Sequence, residues 1–571
     1  MNPYLPAVMN IAEICAQLGV AEAVISPGSR SAPLALAFAR HPRMHTRVVI
    51  DERCAAFVAL GIAQATGRPV ALVCTSGTAP LNYGPGVAEA HYQQLPLILF
   101  TADRPPAWID QQDGQTIVQP GMYQGRVKHC YSLPVDTDHP DAAWQMARSV
   151  AEAVNLADTP PRGPVHLNLP FREPFYPTAE QSVAYGPVRV IRQTQGRAVL
   201  EKAQWEALLA TLEEAERVLV VAGQHNPGAG EIQALETLNL VTVGDIVSNL
   251  HGLPRVIRHP DSFLGGLDAE TAKRLRPGLL ISFGQSVVSK NLKLFLRAHP
   301  PREHWHVQLA GPAADTFQCL TRVIRLDPAD FLATSQERLG RREDDDYMAL
   351  WQGLEQNNRR LLAELARDAD FHEFSAVQAV LAALPDDCVL HLGNSMAVRH
   401  GNFIGLSRST VRVRSNRGTA GIEGSMSTAV GHSLADSALN VLLLGDLSFF
   451  YDRNALWSGP VPANLRIVLL NNQGGGIFDL LPDASHLPER DEFFLTRHEL
   501  SAETTARDFE LDYRTATDHR QLTAALGDFF SVGARAGLLE IRTDIEINSR
   551  FFRHFKQQWR TLCQNPLPGK P

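Results

Sequence analysis

Residues 442–478 read LLLGDLSFFYDRNALWSGPVPANLRIVLLNNQGGGIF. An apolar run ends in Gly445-Asp446, a helix-like stretch follows, and a second apolar run ends in Asn471-Asn472 and glycines 474–476. Short apolar runs bounded by turn residues read as buried parallel strands. A strand–helix–strand crossover then brings both carboxyl ends to one edge of a sheet. Asp446 and Asn471 lie 25 positions apart, the length of such a unit. A carboxylate, an amide oxygen and backbone carbonyls are hard oxygen donors that suit Mg²⁺ holding a diphosphate. The glycines let backbone approach phosphate closely, and the helix that follows is expected to present its N-terminus to it. Gly-Asp and Asn-Asn also occur at many ordinary strand ends, so the reading depends on the rest of the chain.

The same alternation fills the chain. EAVISPGSR, TRVVIDER, VALVCTSGT, PLILFTADRP and PVHLNLP form a first block, RVLVVAG, LVTVGD, GLLISFG and HWHVQLA a second, and DCVLHLGNS, NVLLLGD, LRIVLLNNQGG and AGLLEIRT a third. Nearly all end in residues that make tight turns and helix caps, and those ends are where open α/β sheets bind ligands. The expected fold class is α/β, with three doubly wound parallel-sheet domains at 1–180, 190–335 and 371–571. The Pro-rich stretch 171–190 reads as a linker and 335–370 as a charged, partly helical crossover with a solvated acidic run at 343–346. The first and third blocks look alike in architecture.

With 571 residues, 44% hydrophobic, 20% charged and a formal net charge of −8, the chain has the composition of an ordinary globular protein. No run of Lys or Arg exceeds a pair, so neither nucleic acid nor an anionic membrane surface is an expected partner. Runs such as PLILF and VLLLG fall well short of the roughly 18 residues of a membrane span, and MNPYLPAVMN has no secretory pattern. A cytoplasmic location and small-molecule partners are expected. Seven cysteines, without CxxC spacing, read as small buried hydrophobes.

Gly-Asp followed about 25 residues later by Asn-Asn resembles the metal-and-diphosphate motif of thiamine-diphosphate (ThDP) enzymes, whose pyrimidine, middle and diphosphate domains match the order of the three blocks. The resemblance also gives a task to Glu52, in VIDER (49–53), which stands where those enzymes place a glutamate after the second strand. SPGSRSAPL (26–34), VIDER, TSGTAPLN (75–82), FTADRPP (100–106), GQTIVQPGMY (114–123), GNSMAVR (393–399) and SNRGTAGIEG (415–424) together are similar to the 2-succinyl-5-enolpyruvyl-6-hydroxy-3-cyclohexene-1-carboxylate (SEPHCHC) synthases of menaquinone biosynthesis.

That resemblance implies decarboxylation of 2-oxoglutarate and addition of the resulting succinyl carbanion equivalent to isochorismate. Glu52 is implied as the catalytic residue, hydrogen-bonded to the cofactor's aminopyrimidine. Thr78, Ser395, Ile422, Gly445, Asp446, Asn472, Gly474 and Ile477 are implied around the cofactor, with Ile422 as an apolar wedge. Asp446, Asn472 and the Gly474 carbonyl are implied as ligands of Mg²⁺ or Mn²⁺. Both substrates are dianions, which calls for guanidinium forks. Asn394, Ser395, Arg399 and Arg417 are expected on the 2-oxoglutarate side, Ser29, Arg30, Arg104, Gln115 and Lys290 on the isochorismate side, and Ile477 and Phe478 are also implied as substrate-binding residues. One departure concerns the middle domain, where the family's Lys-Arg pair is Lys290-Asn291 in this chain. Facing pyrimidine and diphosphate domains from different subunits imply a homodimer or a dimer of dimers.

Three other readings stand beside this one, among them a non-catalytic relative of the same fold, which would be expected to have lost Glu52 or the Asp446 and Asn472 ligands that this sequence retains. A related ThDP enzyme acting on pyruvate, such as one like acetolactate synthase, would need fewer arginines. A dinucleotide oxidoreductase would need G-x-G-x-x-G after a strand, and no convincing instance occurs.

Overall fold

The computed structural model describes residues 5–173, 175–177, 184–342, 345–365, 370–480 and 486–564. Parts of the 171–190 linker and of the acidic run at 343–346 lie outside the described residues. Among those described, the strands form three wholly parallel sheets. The first holds β1 Glu22–Ile25, β2 His45–Val48, β3 Val70–Cys74, β4 Leu97–Asp103, β5 Cys130–Ser132 and β6 Val165–Pro170, in the order β2-β1-β3-β4-β6-β5. The second holds β7 Val218–Ala222, β8 Val241–Gly244, β9 Leu279–Phe283, β10 Glu303–Val307 and β11 Arg322–Ile324, in the order β11-β10-β9-β7-β8. The third holds β12 Val389–Leu392, β13 Arg412–Arg414, β14 Asn440–Gly445, β15 Leu465–Asn471, β16 Asp512–Ala516 and β17 Gly537–Arg542, in the order β13-β12-β14-β15-β17-β16. Counted from its own first strand, the third sheet repeats the order of the first.

The expected strands are present. Those the patterns did not show, β5, β11, β13 and β16, all lie at sheet edges. Their sequences, CYS, RVI, RVR and DYRTA, are short and mixed in burial. An edge strand pairs on one side only and needs no continuous apolar run.

The helix Glu52–Thr66 begins where Asp51 accepts hydrogen bonds from the Arg53 and Cys54 N–H groups (2.9 and 3.3 Å). It ends at Gly67, whose φ of 65° is the left-handed cap that favours glycine. It crosses the helix Ser425–Ala435 at very close range. A Cβ on Gly61 would stand 2.1 Å from the Thr428 carbonyl oxygen, and one on Gly431 would stand 2.1 Å from that of Val58. Only glycine permits that approach, and it merges the first and third blocks into one core that runs from Val24 to Leu538.

A second core ties the middle block to the third. The helix Asp345–Leu365, read from sequence as a crossover, buries Tyr347, Met348 and Trp351 there, beside Phe551, Phe555 and Trp559 of the helix Ile545–Gln564. Cys15, Cys54, Cys74 and Cys388 are buried free thiols, whereas Cys130 and Cys319 are only partly buried.

Candidate active site

Strands β14 and β15 pair with Gly445 opposite Leu470, so Asp446 and the Asn-Asn pair emerge side by side at the carboxyl edge. The two asparagines then divide. Asn471 is consumed by structure: its Nδ2 donates to Glu540 Oε1 (2.6 Å) and Leu500 O (3.0 Å), and its Oδ1 accepts from Gln473 N (3.1 Å). Asn472 donates Nδ2 to Glu373 Oε1 (2.5 Å), while its Oδ1 is buried without a hydrogen-bond partner.

Asp446 is buried, accepts from Gly474 N (3.0 Å) and Leu447 N (2.6 Å), and lies 3.4 Å from His498 Nε2. The Gly474 carbonyl accepts from Gly476 N (3.0 Å) and keeps its second lone pair. A Cβ on Gly445 would meet open space, so the cradle has room in front of that strand end. Where a helix is expected after the glycine run, the described residues form a 3₁₀ segment, Gly476–Leu480, which carries half-buried Ile477 and Phe478. Phe478 turns its ring to Phe494, 5.9 Å away. Among the described residues no three His, Cys, Asp or Glu side chains gather as a metal centre. The donors here are instead one carboxylate, one amide oxygen and one carbonyl, a set that a diphosphate-bound hard cation completes.

Two loops leave the same sheet edge, one after β12 and one after β13. Ser395, with φ of 69°, caps the helix Met396–Ile404, and its carbonyl accepts from Arg399 Nη1 (2.6 Å). Asn394 is buried, accepts from Arg417 Nη1 (2.6 Å) and donates to the Asn416 and Gly421 carbonyls (2.8 and 2.7 Å). Burial lowers the pKa of both Arg399 and Arg417, and Arg417 is further lowered by the charge of Arg399. Two like charges held together in a partly buried place are stabilised by an anion. Ile422 is 39% exposed, and its carbonyl is held by the Ser448 hydroxyl, close after Asp446 in sequence. β12, β13 and β14 run parallel side by side, so the stretches 394–399 and 415–422 emerge at the same sheet edge as Gly445 and Asp446, and Ile422 meets the helix that Asp446 opens.

The first sheet carries a second cationic place. Arg30 donates to the Phe171 carbonyl (2.7 Å) and stacks on Phe175 (4.7 Å to the ring centroid). Burial lowers its pKa, and so does the neighbouring charge of Arg104. Arg104 is held by Asp113 (2.5 Å) and Ser76 (3.3 Å). The two arginines line a cavity of about 410 Å³ with Trp108, Asp113, Arg172 and Glu173. Ser29 lies outside its wall, 3.4 Å from the Tyr176 hydroxyl. Exposed Gln115 has φ of 57°, and a Cβ on Gly77 would stand 3.1 Å from its Cα. Thr78, exposed, opens the short helix Thr78–Asn82 directly after Gly77.

Lys290, also exposed, begins the helix Lys290–Ala298. Asn291, at the position of the departure, donates its N–H to Asp261 Oδ1 (2.6 Å) and its Nδ2 to the Asp261 carbonyl (2.7 Å). It therefore serves the fold, and the extra cation near Arg417 is Lys293, whose pKa is lowered by burial and then by that arginine.

Glu52 opens its helix half-buried. Burial pushes its carboxyl up, and Asp51 adds a like charge. Its neighbours Asp51 and Arg53 are occupied within the chain, Asp51 by Asn454 (2.9 Å) and Arg53 by the Tyr451 carbonyl (2.8 Å). Among the described residues no side chain donates to the Glu52 carboxylate and no cation pairs with it.

Known proteins resemble this chain over most of its length. The family pattern described as "Thiamine pyrophosphate enzyme, N-terminal TPP binding domain" matches residues 7–124. A 2-succinyl-5-enolpyruvyl-6-hydroxy-3-cyclohexene-1-carboxylate synthase of Cytophaga hutchinsonii is 41% identical over 564 residues, 99% of this chain and 100% of that protein. Synthases of the same description from Porphyromonas gingivalis (39%, covering 92% of each chain) and Bacteroides fragilis (37%, covering 96% of this chain and 98% of that one) are also similar. The chain belongs to the SEPHCHC synthase family.

A SEPHCHC synthase is a ThDP-dependent transferase, and the residues present fit that cofactor. The orphaned Asn472 oxygen, the open space at Gly445 and the unpaired Glu52 carboxylate are groups such a ligand would satisfy. Two further residues carried no signal in the sequence, Glu373 behind Asn472 and His498 beside Asp446, and a third, Gln119, lies within GQTIVQPGMY with no role of its own read there. Gln119 is fully buried and accepts from Gly77 N (2.9 Å) while donating to Asn168 Oδ1 (2.8 Å). Each lies far along the chain from the group it supports.

Proposed function

We propose that the chain decarboxylates 2-oxoglutarate and joins the remaining four-carbon unit to isochorismate, giving SEPHCHC and CO₂ in menaquinone biosynthesis. The observation that carries this reading is the pairing of arginines, Arg30 with Arg104 and Arg399 with Arg417, one pair for each dianionic substrate. ThDP, when bound, supplies the electron sink for decarboxylation. Glu52 hydrogen-bonds its aminopyrimidine, as the half-buried unpaired carboxylate supports. Asp446, Asn472 and the Gly474 carbonyl hold Mg²⁺, which Mn²⁺ replaces. Thr78, Gly445, Ser395, Ile422 and Ile477 position the cofactor. Asn394, Ser395, Arg399 and Arg417 orient the 2-oxoglutarate carboxylates. Ser29, Arg30, Arg104, Gln115 and Lys290 receive isochorismate, and Ile477 and Phe478 exclude water.

Glu52 serves the cradle of a partner subunit in a homodimer, itself paired further or not. Supporting this, the first turn of its helix touches Tyr451 and Asn454 of its own chain, at and beyond the far end of the helix Asp446–Asp452. Exposed Ile50, Leu81, Tyr92 and Trp457 offer apolar surface for such an assembly. Among the described residues no helix is long and apolar enough to cross a membrane, and the proposed location is the cytoplasm.

The test is CO₂ release with isochorismate present, comparing 2-oxoglutarate with pyruvate. Turnover on 2-oxoglutarate is expected to dominate. Preference for pyruvate would replace this reading with that of an enzyme like acetolactate synthase. A single sedimenting species at monomer mass that retains activity would remove the shared site.

A further inference from the structure

We propose that Glu373 is the positioning residue that sets the metal affinity of the cradle, by fixing which face of the Asn472 amide looks into it. The inference rests on the reading of Asn472 as a metal ligand. A side-chain amide is two-faced, since a half-turn exchanges its oxygen for an NH₂ group that repels a cation. Something must forbid the wrong face. The Glu373 carboxylate does so because it only accepts: Asn472 Nδ2 donates to Oε1 at 2.5 Å, and the Asn472 oxygen is thereby left buried, unpartnered and available.

The carboxylate is itself immobilised. Glu373 is 3% exposed, its N–H donates to Asn548 Oδ1 (2.8 Å), and its Oε2 lies 3.2 Å from His400 Nε2. His400 follows Arg399 on the helix Met396–Ile404. One carboxylate therefore joins the amide at the metal position to the helix that carries a substrate arginine. Outer-shell partners of this kind commonly govern metal affinity by about 10–100-fold.

The test titrates Mn²⁺ into full-length protein with ThDP present, reading free Mn²⁺ by its paramagnetic resonance signal, for the wild type, Glu373→Ala, Glu373→Gln, Asn472→Ala and the double alanine variant. Glu373→Ala is expected to weaken Mn²⁺ binding about 10–100-fold. Glu373→Gln keeps an acceptor toward Asn472 and is expected to restore binding to within about threefold. In the Asn472→Ala background the Glu373→Ala change is expected to cost nothing further, because the two act as one unit. Equal Mn²⁺ binding by Glu373→Ala and wild type overturns the proposal, as does a loss of the same size in both backgrounds. If Asn472→Ala itself binds Mn²⁺ like wild type, the assignment of Asn472 as a ligand fails instead. Glu373→Met, which fills the same volume, replaces the alanine variant should that one not fold.

Discussion

The Glu89 carboxylate accepts hydrogen bonds from both the N–H and the hydroxyl of Thr419, each at 2.6 Å, across 330 positions of chain. Its other oxygen takes Gly418 N (2.7 Å) and Gln93 Nε2 (2.5 Å). Four donors thus converge on one buried carboxylate, and the loop they hold carries Arg417. Hydrogen bonds to a charged acceptor contribute about 1.5–3 kcal/mol each, so Glu89→Gln, which turns a donor toward donors, is expected to lower Tm by several degrees. Steady-state kinetics should show KM for 2-oxoglutarate rising more than kcat falls. An unchanged KM would mean that the loop keeps its place without Glu89.

Glu52→Gln keeps the shape of the side chain and removes the carboxylate. Binding of ThDP and Mn²⁺, followed by calorimetry, is expected to survive within a few-fold. Turnover is expected to drop by at least about 100-fold, the lower end of what a positioned acid–base group supplies. Near-normal turnover in this variant would refute the catalytic assignment.

Gly431→Ala places a methyl group 2.1 Å from the Val58 carbonyl oxygen, a backbone atom that cannot rotate away. Overpacking in a tight core costs about 1–3 kcal/mol or more. Thermal denaturation is expected to show a clear loss for this variant and for Gly61→Ala, which strikes the same crossing from the other helix. Gly533→Ala, which meets open space, serves as the neutral control.

Acid should destabilise the fold through its buried histidines. Burial lowers His432 to about 2 and His391 to about 4, and their rings lie 4.9 Å apart. In the unfolded chain a histidine takes up a proton near 6.5. The stability from holding them neutral is therefore complete above that pH and is lost as pH falls toward the folded values, by up to about 1.4 kcal/mol per unit for each histidine. Asp245 and Asp452, raised to about 6 by burial, act in the opposite sense: their contribution is lost as pH rises through that value. Urea midpoints of wild type and His432→Leu between pH 7 and 4 isolate the histidine, and the variant is expected to show the shallower decline. Parallel curves would assign the acid response elsewhere.

The central strands were legible because burial on both faces forces unbroken apolar runs, as in VLLLG and LRIVLLN. The edge strands were not, because CYS and RVR satisfy one neighbour and solvent with no apolar pattern. Asp446 and the Asn-Asn pair were legible from spacing, but the division of labour between Asn471 and Asn472 depends on Glu540 and Glu373, which come from other strands and helices. Backbone strain was also hidden. Gln115, Ser395, Ala420 and Gln473 hold positive φ in the loops around the site. Non-glycine residues adopt that region at a cost of about 1–3 kcal/mol when tertiary contacts impose it. Nothing in their side chains announces this.

The glycine crossing of Gly61 and Gly431 also sets a schedule for synthesis. The partners that cover the helix Glu52–Thr66 are specified roughly 370 residues after it, so at about 5–20 residues per second its apolar face waits roughly 20–70 seconds on the ribosome for its cover. Slowing translation of the middle block is therefore expected to lengthen the exposure of that face to proteases and to aggregation.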